Sequence, residues 1–393
     1  MSTYLVEAVT QLHWWLALPP RNLIDRGDHV RFRYALYLII HQIVTVLYSL
    51  NGHKGVMYFP SRIKGVRNIL DNFANTPEQV GVRLQSLATE REQEKAWSIA
   101  AELIRSTLSI WNQVSKNYDL SSREHQIKEG VFKSNQTRNQ AELYDWANEL
   151  ANRLKTLEGV EGVALGGSLG RGVADSQSDI DLLVFGLGMP SEKARKEFIA
   201  KWQSIEYGPI IESACDSVLI DGVMIHIRYW TTGTTEEMLL GCPAPPHNRI
   251  LAEELQRCHI LVDSNRKLSL WKQFMGKLSP DLIAGIYNSA QARLASFQNP
   301  WCESERAADK IHLYCLINQA VNDFLAALYI RNGYFLSTPR WCHREIPSFE
   351  LVPEGLVNLP SIVDGIYDGE ITKRRWQVLE SLWEELSSLS SNY

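Results

Sequence analysis

The residues with the clearest chemical content lie in one stretch, Ala164 to Phe185, which reads ALGGSLGRGVADSQSDIDLLVF. A short apolar run delivers Gly166, Gly167 and Ser168 to a turn. Glycine lets backbone come close to a ligand, and exposed N–H groups in such a turn suit phosphate. Eleven residues past Ser168 comes Asp179, followed by Ile180 and Asp181. Residues two apart on a strand share a face, so these carboxylates converge while Ile180 and Leu182 point into a core. Two such carboxylates repel, and a divalent cation bridging them to polyphosphate oxygens relieves the repulsion.

The elements that must position these groups can be read from hydrophobic period. Glu142 to Leu157 reads as a helix, Gly162 to Leu165 as a short strand, and Asp179 to Phe185 as the next strand. Ser191 to Ile205 is helical, with Pro190 just before it. Ser217 to Ile220 and Val223 to Trp230 flank Asp221-Gly222, a two-residue hairpin signal. His259 to Asp263 is a short strand.

The flanks read as helical, so the expected fold class is α+β in three segments: helical 1–135, a central domain over 140–265, and helical 266–393. Val30 to Leu50 ends at Asn51-Gly52, Val80 to Val114 is an amphipathic helix or pair, and 115 to 140 is a polar linker. Leu36 to Leu47 (LYLIIHQIVTVL) and Leu313 to Phe324 (LYCLINQAVNDF) coincide at five of twelve positions, and each is followed by Asn-Gly. Chance likeness of two amphipathic helices and a duplicated helical module both account for that.

Composition narrows the class. The chain has 393 residues, 45% hydrophobic and 22% charged, enough to bury a sizeable core. Forty basic against forty-five acidic residues give a net charge of −5, so no long nucleic acid is expected as a partner. The six cysteines never reach CxxC spacing, which fits free thiols in a reducing cytoplasm. No signal peptide and no membrane association are expected: the most apolar run, Tyr34 to Leu50, falls just short of a span and contains His41 and Gln42.

The ordered set of strand, Gly-Ser turn, Arg171-Gly172, Ser178 and Asp-x-Asp on the next strand resembles the nucleotidyltransferase fold of DNA polymerase β-like enzymes. It is most similar to the small bacterial branch of aminoglycoside nucleotidyltransferases. The motif covers about 22 residues, and the fold resemblance is expected over 140 to 265. The resemblance implies that Gly167 and Ser168 hold the β- and γ-phosphates and that Asp179 and Asp181 bind Mg²⁺, one ion or two. Ser178 belongs to the same nucleotide-binding set, and Arg171 is either a phosphate contact or a solvated loop arginine. The implied reaction moves a nucleoside monophosphate from ATP or another triphosphate to a hydroxyl or amine of a small-molecule acceptor, releasing pyrophosphate.

The family usually carries a third carboxylate on a later strand, after a hairpin. The matching place here is Ile225-His226-Ile227, so His226 departs from the pattern. Imidazole is a poor Mg²⁺ ligand but a competent base near neutral pH. Three readings stay open: His226 is the base, the third carboxylate is Asp221 or Asp216, or catalysis has decayed and the chain is a nucleotide-binding or toxin–antitoxin-like interaction module. A neighbouring class of helical domains cleaves RNA with an Arg and a His on one helix. Arg33 and His41 are spaced more widely than that motif, so His41 is expected to be a packed helix residue. Lys64, Arg340 and Arg344 are read as surface charges within reach of a nucleotide.

Overall fold

The computed structural model describes residues 3–17, 23–24, 28–53, 66–114, 139–175, 178–201, 205–211, 214–240, 246–306, 309–336, 339, 341–364 and 369–389. Lys64, Arg340, Pro19-Pro20 and nearly all of the 115 to 140 segment lie outside the described residues. The N-terminal helices are α1 (Thr3–Ala17), α2 (His29–Leu50), α3 (Val66–Asp71), α4 (Val80–Thr89) and α5 (Gln93–Val114). The middle of the chain runs α6 (Gln140–Leu154), β1 (Val160–Leu165), α7 (Gly167–Gly170), β2 (Ile180–Gly186), α8 (Glu192–Ala200) and β3 (Ile205–Ile211). It continues through β4 (Cys215–Ile220), β5 (Val223–Thr231), α9 (Thr232–Leu240), α10 (Pro246–Arg257), β6 (His259–Asp263) and α11 (Lys267–Met275). The last helices are α12 (Pro280–Arg306), α13 (Lys310–Arg331), α14 (Cys342–Glu345), α15 (Leu359–Val363) and α16 (Gly369–Ser388).

These elements gather into two compact units, an all-helical one and an α+β one. The first comprises Met1–Val131, Asn288–Leu328 and Glu350–Asn392, and the second Phe132–Tyr287 with Tyr329–Phe349. The segment 266–393 therefore contributes to both.

In the first unit, α2 begins where the Asp28 carboxylate accepts from Arg31 N (3.2 Å), and it buries Phe32, Leu36, Ile39, Ile40, Ile43 and Leu47. The helices α2 and α13 are each 22 residues long and end alike, on Asn-Gly with the glycine at φ +88° and +81°. In both, the residue after the glycine donates back to a tyrosine carbonyl five positions earlier: His53 to Tyr48, Tyr334 to Tyr329. Both are apolar enough to cross a bilayer, yet 67% and 89% of their apolar windows are buried inside the protein. The buried Arg33 guanidinium donates to Glu90 O, Arg91 O and Asp364, so it is spent on joining helix ends. Burial pushes the His41 imidazole down to about 4, as fits a packed helix residue.

The second unit is built on one mixed sheet of order β3-β4-β5-β2-β1-β6. Only the β2–β5 pair is parallel. The expected hairpin is present: Ile220 pairs Val223, and Asp221 and Gly222 take φ +45° and +72°, as a tight turn between twisted strands requires. Side chains alternate across the sheet. Val163, Leu165, Ile180, Leu182, Val184, Ile225, Ile227 and Tyr229 pack with α6 and α8. Ala164, Leu183 and Phe185 pack on the other face with α9, α10 and α11. Helix α6 starts at a reciprocal cap, Asn139 with Glu142, and α8 at Ser191. The strand β3 was not expected from the sequence.

Candidate active site

The Gly-Ser turn and the Asp-x-Asp strand meet at one end of the sheet. Gly166 N donates to Asp181 O (2.8 Å), closing the turn onto the start of β2. Gly167 sits at φ +59°, and a Cβ there would lie 2.0 Å from Asp181 Oδ2. The turn thus packs directly against a carboxylate, which any side chain at Gly167 would have to displace. Gly170 is held as closely, since a Cβ would lie 2.1 Å from Leu165 O. Ser168 is buried, and Tyr144 of α6 donates its hydroxyl proton to Leu169 O (2.5 Å).

In parallel register Asp181 stands opposite His226, and Leu183 opposite Arg228. The carboxylates therefore face two nitrogen groups on β5. Asp179, just before β2, has Oδ2 3.7 Å from His226 Nε2. Asp181 Oδ1 is 3.5 Å from Arg228 Nη2, while Arg228 Nη1 donates to Glu254 of α10. His226 Nδ1 lies 2.8 Å from Ser217 Oγ on β4. Burial lowers the His226 pKa, but the nearby carboxylates of Asp179 and Asp181 outweigh it, so the imidazole titrates above its ordinary 6.5. The charges of Glu254 and Asp181 likewise hold Arg228 firmly in its charged form against the cost of burial.

Other expected site residues stand apart from this cluster. Arg171 is only 4% exposed, with Nη2 2.6 Å from Glu253, Nη1 3.2 Å from Glu345, and its guanidinium 4.6 Å above the Trp341 ring. Its charge is thus met by two carboxylates rather than by the turn. Tyr329 donates to Glu345 Oε2 (2.7 Å), completing a buried network that anchors the end of α7. Ser178 closes its own loop: Oγ accepts from Asp175 N (2.9 Å) and donates to Asp175 Oδ1 (3.1 Å). Arg344 grips the same loop, donating to Val173 O and to Asp175 Oδ2 (2.5 Å). Neither alternative third carboxylate stands beside Asp181. Asp216 is fully buried on the opposite face of the sheet, 2.7 Å from Arg195, and Asp221 occupies the hairpin turn. Sequence reasoning missed Ser217, Glu254 and Tyr144 as partners of the site.

The donor chemistry decides what cation the site suits. Asp179 and Asp181 offer hard oxygen donors beside the Gly-Ser turn, a donor set that would suit one Mg²⁺ completed by phosphate and water. It does not fit a second ion. Imidazole replaces the third carboxylate, and among the described residues no three His, Cys, Asp or Glu side chains come together as a cation site.

A small mixed sheet with a glycine turn against an Asp-x-Asp strand is the arrangement that the motif implied. Residues 147–213 match the model of a family described as Nucleotidyltransferase domain, in agreement with the motif's resemblance to the DNA polymerase β-like superfamily. The matched stretch contains Gly167, Ser168, Asp179 and Asp181 and ends before His226. Among solved structures the chain is similar to a nucleotidyltransferase-like protein from Exiguobacterium sibiricum. That likeness has 11% identity, covers 63% of this chain and 74% of that one, and scores a TM of 0.29. It is also similar to a STING-associated CdnE c-di-GMP synthase from Capnocytophaga granulosa, at 13% identity over 79% of this chain and 99% of that one, TM-score 0.22. At such scores neither likeness adds to the family match. No curated protein matches the chain.

Proposed function

We propose that the protein transfers a nucleoside monophosphate from a nucleoside triphosphate, ATP first among them, to a hydroxyl or amine of a small-molecule acceptor in the cytoplasm. The observation that carries this reading is the packing of the Gly167 turn on the Asp181 carboxylate, within 2.0 Å of where a Cβ would be. That contact supports the reading, because it brings a turn whose N–H groups suit phosphate beside a carboxylate that suits a metal ion. The Gly167–Ser168 turn grips the β- and γ-phosphates. Asp179 and Asp181 would hold Mg²⁺, which when bound offsets charge on the triphosphate. His226 takes the acceptor's proton: Nδ1 lies 2.8 Å from Ser217 Oγ, and in the tautomer that donates Nδ1–H to that hydroxyl, Nε2 is the base. The acceptor oxygen or nitrogen attacks the α-phosphorus, the bond to the β-phosphate bridging oxygen breaks, and pyrophosphate leaves. Arg171, Ser178 and Arg344 act indirectly, by fixing the loop between turn and strand.

Incubation with α-phosphate-labelled ATP, Mg²⁺ and an acceptor library tests the reading. Label transfer with stoichiometric pyrophosphate is the expected result. Mg²⁺-dependent ATP binding without transfer to any acceptor would favour the second reading, a nucleotide-binding module. The imidazole in place of a carboxylate at His226 is what supports that alternative.

A further inference from the structure

We propose that Arg228 supplies, as a fixed side chain, the positive charge that a second divalent cation would bring, so that this site takes a triphosphate with one such cation. The inference rests on the nucleotidyltransferase reading above. Strand β5 carries Arg228 two residues beyond His226, on the sheet face of Asp181. Its guanidinium lies 3.5 Å from Asp181 Oδ1 and is anchored at its other end by Glu254. Two carboxylates from different elements thus hold it in place before any nucleotide arrives. Arginine stays charged at every accessible pH and presents five N–H donors, so those not used here can meet phosphate oxygens.

A second cation has neither ligands nor electrostatic room. It would need Asp181 together with a third carboxylate, and Glu254 of α10 is already bonded to Arg228. The third strand position holds His226, a ligand the hard Mg²⁺ ion disfavours. Asp216 is buried against Arg195 on the far face, and Asp221 is in the turn. An ion brought to the remaining side of Asp181 would also meet the Arg228 charge at short range, a like-charge contact in a partly desolvated place.

Equilibrium dialysis of the full chain against Mn²⁺ and a non-hydrolysable ATP analogue counts both ligands retained. One Mn²⁺ per bound analogue is expected for the wild type and for Arg228→Lys, which keeps the charge. Two are expected for the double variant His226→Asp with Arg228→Met, which restores a carboxylate and removes the guanidinium. Two Mn²⁺ per analogue on the wild type would overturn the proposal, and so would one on the folded double variant. The wild-type count decides even if the double variant fails to fold. Retention of no analogue at all would instead overturn the nucleotidyltransferase reading, and this proposal with it.

Discussion

Replacing Gly167 by alanine tests the contact on which the functional reading stands. Two costs can be separated. The backbone at φ +59° disfavours any L side chain, at about 1–2 kcal/mol. The added methyl would also lie 2.0 Å from Asp181 Oδ2, so the carboxylate must move by at least about 1 Å to reach ordinary contact. Gly172 provides the control, because it has φ +71° and open space where a Cβ would go. Gly172→Ala should therefore carry the backbone cost alone. Both variants should lose roughly 2–8 °C of melting temperature, by the usual conversion for a domain of this size. Only Gly167→Ala should lose Mg²⁺-triphosphate affinity, and any transfer rate should fall on the order of 10²-fold, the usual effect of an ångström of misplacement. Differential scanning fluorimetry gives the first quantity and titration calorimetry with ATP, with and without Mg²⁺, the second. If Gly167→Ala binds and turns over like Gly172→Ala, the turn does not meet the nucleotide at Asp181 and the reasoning fails.

Three further outcomes are expected. His226→Ala should leave triphosphate binding intact while the transfer rate drops by roughly 10²–10⁴, the worth of a positioned base; an unchanged rate removes His226 from the chemistry. Asp216→Asn should destabilise the fold by about 3–5 kcal/mol in urea unfolding, because it strands the buried Arg195 charge; a stable variant that has lost metal binding would instead reinstate Asp216 as a ligand. His41, held neutral by burial with a pKa of about 4 against 6.5 unfolded, contributes stability that is present above pH 6.5 and lost as pH falls toward 4. The loss should reach roughly 2 kcal/mol near about pH 5, and a His41→Gln variant, compared by urea midpoints, should not show that share of it.

The sheet was legible wherever local pattern decides structure. Period-two alternation located β1, β2 and β5, and Asp221-Gly222 fixed the hairpin and its register. Strand β3 was not legible, because its sequence Ile205–Ile211 contains Gly208-Pro209, which reads as a chain breaker. Its place at the end of the strand order resolves this, since an edge strand tolerates a proline that donates nothing to a neighbour. Helix α10 was not expected either, although it carries Glu253, Glu254 and Arg257. Partners far along the chain escape a local reading altogether. Arg171 meets Glu253 at 82 residues' separation and Glu345 at 174, and no motif announces such a pair.

Register, by contrast, already contained part of the site. A two-residue turn at Asp221-Gly222 pairs Ile220 with Val223 and, counting outward, Ser217 with His226 and Asp216 with Ile227. Directly paired residues share a sheet face. Ser217 therefore had to stand beside His226, and the structure puts its hydroxyl 2.8 Å from Nδ1. Asp216 had to share the face of Ile225 and Ile227, which is the core face, where Arg195 meets its charge. The same count removes Asp216 from the side of the sheet that holds Asp181, where β5 sets two nitrogen groups, His226 and Arg228, opposite the acidic pair. A site that sets a fixed guanidinium among Asp179, Asp181 and Glu254, with an imidazole at the third strand position, already carries one positive charge of its own before nucleotide binds. Its demand for cations must then be smaller than that of a site built from three carboxylates, which is why the cation count per nucleotide separates the two designs.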